Sequence, residues 1–405
     1  MIKKIRIDQL TPGMYIHDLN VAWFDHPFVR NQFLLENDAD LQRVIDTGVQ
    51  ALYIDATRGR DVGDAPTLEE AQAHNEATLM AALAEPVVPV RITAQAEMSR
   101  ASRIHQEAGQ MVRRVMMDAR MGRAMEVAQV EDVAALLAES IDRNAGALIG
   151  LIGIKNKDEY TFLHSVAVGT LMITFAKSLG LDPREVQQGG VGGLLHDTGK
   201  MLVPDHILNK PGKLTAEEFD VMRSHPLEGW NLLRQMEGVD PVALDITLLH
   251  HERQDGSGYP YKRKAGELSQ LVQMASIVDV YDAITSDRCY HKGMPAPQVL
   301  RKLWEWSPHH FNPQLVQSFI RTIGIYPVGT LVQLESGRLG VVIEQNDATA
   351  LTPVVKLVYS TRQNSYIPPE ILDLAHAARS GGDKIIGFES AEKYGIDIAR
   401  VLLAA

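Results

Sequence analysis

From about residue 124 to 325, apolar side chains recur every three or four positions, the spacing of helices that bury one face. The runs Val127 to Asn144 and Tyr160 to Leu179 carry this pattern most plainly. Gly180 and Asp182-Pro183 punctuate the second run, with Asp182 as an N-cap and Pro183 at the first position of the next helix. Further helices are predicted over Arg184–Leu195, Thr215–Arg223, Leu227–Met236, Pro241–His250, Leu268–Ser286 and Pro313–Thr322, and Thr215 with Glu218 three positions on forms a capping box. On either side of this block the pattern shifts toward alternation. Before it, Thr11-Pro12-Gly13-Met14 reads as a turn, Met14 to Trp23 and Val49 to Ile54 as strands, and Asp40 to Thr47 as a helix that Gly48 ends. After it, Thr330 to Leu334, Gly340 to Glu344 and Val354 to Tyr359 read as strands, and the tail from Gly381 ends in a short helix.

Residues 64 to about 122 have a third character. They are rich in Ala, Glu, Gln, Arg and Met, with a break at Glu85-Pro86-Val87-Val88-Pro89-Val90. The part from Thr93 to Met121 is strongly helix-forming but thin in apolar positions. It fits a helical linker or a coil that pairs two chains into a homodimer, a solvated helix being the simplest reading. The expected organisation is mainly α. A small α+β domain spans 1–63, a helical linker 64–123, a helical bundle 124–325 and a small β-rich extension 326–405.

The chain has 405 residues, which suits two or three domains, and its apolar and charged contents of 45% and 22% are those of a protein with a real core. A net charge of −11 argues against a general nucleic-acid coat and against a nucleic-acid polymer as partner. Cys289 is the only cysteine, so neither a disulfide framework nor a thiolate zinc knot is available. The basic start Met1-Ile2-Lys3-Lys4-Ile5-Arg6 is followed by no long apolar run, and stretches such as Ala147 to Ile154 fall short of a membrane span. A cytoplasmic protein without a membrane span is expected.

The chemistry concentrates in two fragments, His196-Asp197-Thr198-Gly199-Lys200 and His250-His251-Glu252-Arg253-Gln254-Asp255-Gly256-Ser257-Gly258-Tyr259-Pro260. An adjacent His-Asp pair offers an imidazole nitrogen and a carboxylate that can bridge two cations, a mixed shell that borderline transition metals favour. His164 lies mid-helix, where it is either a ligand or a buried histidine bonded to a carbonyl. His225 precedes a proline at a helix start, where it is either a ligand or a cap. Adjacent helical residues point about 100° apart, so His250 and His251 are expected to serve different ions. Asp279 is an acid within an otherwise apolar helix and needs a partner, a metal or Arg288. Seven donors, His164, His196, Asp197, His225, His250, His251 and Asp279, suit two ions about 3.5–4 Å apart that activate water against a phosphate ester. Lys200 could offset charge on a phosphoryl oxygen, and Tyr259 could contact a base or phosphate. Arg288 could clamp phosphate or pair with Asp282. His17 and His26, in the N-terminal module, read as surface or satisfied core residues.

These fragments, with His225-Pro226 and the run Asp279 to Tyr290, resemble the HD-GYP branch of the HD phosphohydrolase superfamily over about half the chain. The resemblance implies an HD-type helical bundle that hydrolyses cyclic di-GMP to pGpG and on to GMP. It implies metal roles for the seven donors, catalytic roles for Asp197 and Lys200, and substrate contacts from Lys200, Tyr259, Asp282 and Arg288. The cofactors it implies are two divalent transition-metal ions, iron or manganese, with nickel, zinc or cobalt as alternatives. Cyclic di-GMP is the expected small-molecule partner, with diguanylate cyclase-type proteins as candidate protein partners in a bacterium. Through Trp23-Phe24-Asp25-His26-Pro27-Phe28 and the later Tyr53-Ile54-Asp55, residues 1 to about 63 resemble the small uncharacterised domain often found ahead of HD-GYP domains, a candidate sensory or regulatory module. The family's trinuclear members place a glutamate where this chain has Tyr160, with Glu159 adjacent, so two metals are expected. Cys289 stands where a proline is usual, and a basic substrate contact would fall at His291 or Lys292. The rival readings are a cyclic di-GMP receptor without turnover, and a hydrolase of another cyclic dinucleotide or nucleotide.

Overall fold

The structure, a computed structural model, describes the chain except residues 23–25, 27, 29–31, 83–91, 124–125, 155–159, 288–291, 347–348, 380 and 404–405. The N-terminal module is a four-stranded antiparallel sheet of β1 (Ile2–Arg6), β2 (Tyr15–Asp18), β3 (Phe33–Leu34) and β4 (Ala51–Asp55), in the order β1-β4-β2-β3, with helix α1 (Asp38–Ile45) between β3 and β4. Alternation sends Ile5, Ile16, Leu52 and Ile54 to one face, where Leu35 and Val44 close a small core of their own. Strand β1 lies where the sequence showed only a basic start. The Lys3 ammonium is drawn to Asp61 at 2.9 Å while Ile5 is buried.

The stretch from Thr93 to Met121, expected to be a solvated helix, is solvated on one face only. Helix α2 (Leu68–Ala82) precedes it, and it forms α3 (Ala94–Arg120), one whole face of which is buried, from Met98 and Ala101 through Ile104, Ala108, Met111, Val112 and Val115 to Met116 and Ala119. That face packs on α4 (Val127–Ile152) and α5 (Tyr160–Ser178), so the surface a dimerising coil would offer is used within the chain. Alanine and methionine give weak contrast in an apolar pattern, yet they let helices approach closely. Glu97, buried in this interface, accepts hydrogen bonds from Ser140 Oγ and Arg143 Nε, both at 2.9 Å. Helix α4 runs past its expected end through a break at Asn144 (φ −166°, ψ 109°), whose amide donates to the Ile92 carbonyl at 2.7 Å.

The remaining helices are α6 (Pro183–Leu195), α7 (Asp205–Leu208), α8 (Ala216–Met222), α9 (His225–Leu233), α10 (Pro241–Leu249), α11 (Gln270–Thr285), α12 (Ala296–Trp306) and α13 (Pro313–Ile323). Asp182 caps α6 as expected, accepting from the Arg184 and Glu185 amides at 2.9 Å, and Thr215 with Glu218 forms the capping box of α8. No helix was expected at α12, which Pro295 precedes as N-cap and whose first turn holds Pro297. The C-terminal part is a five-stranded antiparallel sheet of β5 (Leu331–Leu334), β6 (Arg338–Asn346), β7 (Thr349–Ser360), β8 (Ser365–Asp373) and β9 (Ile385–Phe388), ordered β8-β7-β6-β5-β9. Helix α14 (Leu374–Arg379) follows β8, and α15 (Ile398–Leu403) ends the described chain. The inner side chains of this sheet, among them Val332, Val341 and Leu357, join Phe319 and Ile320 in the core that fills the helical bundle. Among the described residues, no helix is long and apolar enough to cross a membrane.

Candidate metal centre

Five helices deliver the seven donors to one buried point. His164 sits within α5 and Asp279 within α11, while His196 and His250 are the C-caps of α6 and α10 and His225 opens α9. Gly199 makes the meeting of α6 and α9 feasible. A Cβ there would stand 1.9 Å from the His225 carbonyl oxygen, so only glycine lets the turn after Asp197 lie against the start of α9.

Each ring is held from behind. The Nδ1–H groups of His196 and His225 donate to the Gly193 and Met222 carbonyls, both at 2.8 Å, and that of His250 donates to the Thr247 carbonyl at 3.0 Å. His164 Nδ1 lies 2.7 Å from Asp282 Oδ2. These four rings therefore aim Nε2 inward, the arrangement in which a second set of contacts orients metal-binding imidazoles. Asp197 stands between them with its two oxygens divided. Oδ2 is 3.3 Å from the Nε2 atoms of both His164 and His196, whereas Oδ1 is 3.3 Å from His225 Nε2 and 3.9 Å from His250 Nε2. Asp279 spans the cluster likewise, with Oδ1 3.0 Å from His164 Nε2 and Oδ2 3.8 Å from His251 Nδ1.

Three groups result whose donor atoms lie within 4.8 Å of one another: His164 with His196 and Asp279, His225 with His250 and His251, and His196 with Asp197 and His250. His250 belongs to two of these groups, one with His251 and one with His196 and Asp197, so the cluster offers His250 both to an ion shared with its neighbour and to a separate one; the two rings lie 4.2 Å apart. His17 and His26 belong to none of these groups.

The electrostatics fit a cationic occupant. Burial by itself would raise the Asp197 and Asp279 pKa values, but the surrounding imidazoles, with Lys200 in the case of Asp197, hold both carboxyls well below the usual range. Burial lowers the His225, His250 and His251 pKa values, which keeps these rings in the neutral form that metals bind. Burial also works downward on His196, yet Asp197 and Asp279 outweigh it and push its pKa up to about 10, the response of an acid-rich pocket that favours positive charge. Among the described residues, His196 Nε2 and Asp197 Oδ1 are buried without a hydrogen-bond partner, although each faces other donor atoms. Unspent donors of both kinds, in a closed pocket, are what divalent ions require. The cluster is consistent with divalent-metal binding.

The expected substrate contacts divide. Tyr259 lies beside the centre, its ring stacked on His251 with centroids 4.6 Å apart. The Lys200 ammonium is 2.6 Å from Asp197 Oδ2. Asp282, expected to face substrate, is fully buried behind His164 instead, where its carboxylate can orient that ring. Arg288, Cys289, Tyr290, His291 and Glu159 lie outside the described residues, as does the Tyr160 side chain. Lys292 is exposed and paired with Glu392.

Two neighbours escaped the sequence reading. The Arg223 guanidinium sits over the Tyr259 ring, 4.4 Å from its centroid, and no carboxylate lies within ion-pair distance of it among the described residues. Glu252 accepts from the Tyr261 and Arg263 amides at 2.7 and 3.0 Å and so pins the loop that carries Tyr259. The only signal for either was closeness in sequence to His225 and His251.

Comparison with known proteins places this geometry in a family. The family described as HD domain matches residues 152–315, and the domain of unknown function DUF3391 matches residues 2–130. A cyclic di-GMP phosphodiesterase of Pseudomonas aeruginosa is 44% identical over 97% of this chain and 94% of its own length. A cyclic di-GMP phosphodiesterase of Thermotoga maritima is 34% identical over 41% of this chain and 45% of its own. Among solved structures, an HDGYP protein of Bdellovibrio bacteriovorus aligns with 79% of this chain and 98% of its own at 20% identity and a TM-score of 0.48. A likeness that runs almost end to end, through both matched domains, assigns the whole chain: it belongs to the HD-GYP family of cyclic di-GMP phosphodiesterases.

Proposed function

We propose that the chain hydrolyses the phosphodiester bonds of cyclic di-GMP, opening it to linear pGpG, with two divalent transition-metal ions of the iron or manganese type. One ion would be held by His164, His196 and Asp279 with Asp197 Oδ2, the other by His225, His250 and His251 with Asp197 Oδ1. The observation that carries this reading is the division of the Asp197 oxygens between two histidine groups, 3.3 Å from His164 and His196 on one side and from His225 on the other. Such ions supply Lewis acidity toward a water and a phosphate oxygen.

The chain's own residues do the rest. The Gly193, Met222 and Thr247 carbonyls and Asp282 keep the imidazoles oriented. Lys200, beside Asp197, offsets negative charge gained by the phosphoryl group. The Arg223 guanidinium, stacked on the buried Tyr259 ring, gives a face on which a guanine stacks or a phosphate is held. Residues 124–325 would carry the hydrolytic unit and residues 1–63 a regulatory module, acting in a bacterial cytoplasm.

Metal analysis of the purified protein, run together with chromatography of cyclic di-GMP incubations, tests the reading. Two equivalents of metal and accumulation of pGpG are expected. Metal-loaded protein that binds cyclic di-GMP and leaves it intact would replace this reading with that of a receptor.

A further inference from the structure

The N-terminal module reaches the face proposed for substrate. Its sheet is moored to α12 by polar contacts. Tyr53 Oη donates to Glu305 Oε1 at 2.8 Å, Asn20 Nδ2 donates to the same oxygen at 3.2 Å, and Lys4 pairs with Glu305. Trp306 Nε1 donates to Asn20 Oδ1 at 3.0 Å, and Lys302 pairs with Asp18 at 3.2 Å. The mooring fixes where the turn after α1 projects.

That turn, Thr47-Gly48, lies against the Tyr259 loop. Thr47 lines a small pocket with Phe219, Arg223, Ser257, Tyr259 and His310. Gly48 has a positive φ of 77°, and a Cβ built on it would stand 2.4 Å from Ser257 Cβ, so the two segments touch with no room for a methyl group. Ser257 does not yield freely, because its amide and hydroxyl both donate to Asp255 Oδ1, at 2.9 and 2.6 Å. Two residues on, Tyr259 rests on His251. Glu252 ties the inner side of this loop, and the N-terminal turn backs its outer side.

We infer that the Thr47-Gly48 turn is a positioning element for the loop Ser257–Tyr259: the N-terminal module forms the outer wall of the substrate face and holds Tyr259 stacked on His251. The inference rests on the proposed function for its kinetic consequence and on packing alone for its structural one. Gly48→Ala sets a methyl group against Ser257 Cβ and must displace the loop. Ser257→Gly on the same chain removes the atom that methyl meets, while the cost of a positive φ at residue 48 stays.

The test uses the full chain in three forms: parent, Gly48→Ala, and Gly48→Ala with Ser257→Gly. Amide hydrogen exchange over residues 256–263 is read first, since it needs no turnover. KM and kcat for cyclic di-GMP follow, with metal content and the rate on bis(p-nitrophenyl) phosphate, a small diester without guanines. In Gly48→Ala, faster exchange over 256–263 and a KM raised about fivefold to tenfold, with kcat held within about twofold, are expected. Metal content and the small-diester rate stay at the parent's level, and Ser257→Gly recovers most of both losses. Unchanged exchange in Gly48→Ala overturns the inference, as does a double variant no better than the single, which would place the whole effect in local strain. Should Gly48→Ala fail to fold, Ser257→Val crowds the same contact from the other side and is read in the same way. If the parent does not turn over cyclic di-GMP, the proposed function fails by itself and the exchange measurement still decides this inference.

Discussion

Replacing Asp197 by alanine withdraws an oxygen from both histidine groups at once, so Asp197→Ala is expected to lose bound metal and all turnover of cyclic di-GMP. Metal analysis and product chromatography on one preparation check this, and a metal-free variant with full activity would refute the mechanism. Asp282 acts one step removed, through His164 Nδ1 at 2.7 Å. Asp282→Asn is expected to weaken metal binding by about 10–100-fold, read by metal titration, without unfolding the protein. Arg223, stacked over Tyr259, is expected to act on substrate affinity: Arg223→Ala raises KM for cyclic di-GMP about tenfold and leaves metal content unchanged. The candidate donors that the fold gathers were legible because a His-Asp pair and a His-His pair are written in adjacent positions, and because a histidine or an acid amid leucines and valines asks for a reason. Their supports were not legible. Asp282 reaches His164 across 118 positions of chain, and the carbonyls behind His196, His225 and His250 belong to no residue type.

At the level of elements, α3 is the instructive case. Its buried stripe is built largely of alanine and methionine, so it reads in one dimension as a polar, solvated helix, whereas in space it covers α4 and α5. Glu97→Ala in this interface is expected to cost about 2 kcal/mol, because Ser140 and Arg143 both lose a charged acceptor in a buried place. Denaturant unfolding measures it, and a loss below a few tenths would mean that water replaces the carboxylate. Helices with strong caps and a clean apolar period, such as α6 and α8, were found near their true ends. The end expected for α4 at Asn144 marks a real break in φ and ψ, but the helix resumes beyond it because Asn144 Oδ1 accepts from the Gly146 amide at 2.8 Å and caps the new first turn. Helix α12 was missed because its prolines at 295 and 297 suggest a loop in sequence and a helix start in three dimensions.

For the whole molecule, the buried acids make fold and cofactor interdependent. Ions that bind the folded chain and not the unfolded one stabilise it by mass action, so chelation is expected to lower the melting temperature and restored manganese or iron to recover it. Calorimetry with and without chelator checks this, and coincident transitions would show that nothing of weight binds at the histidine cluster. The general organisation, a helical bundle between two small sheets, could be read from the change in period along the chain. The packing of the outer parts could not, because Lys4, Asp18, Asn20 and Tyr53 carry no mark that they meet Glu305, Trp306 and Lys302 some 250 or more positions away. That mooring bears on how such a protein can be rebuilt. A leader attached only by a tether can be exchanged like a cassette, but one that shares a polar seam with its neighbour cannot. A transplant onto this bundle would strand a glutamate, a tryptophan and a lysine on bare surface unless the incoming piece brought its own matching seam.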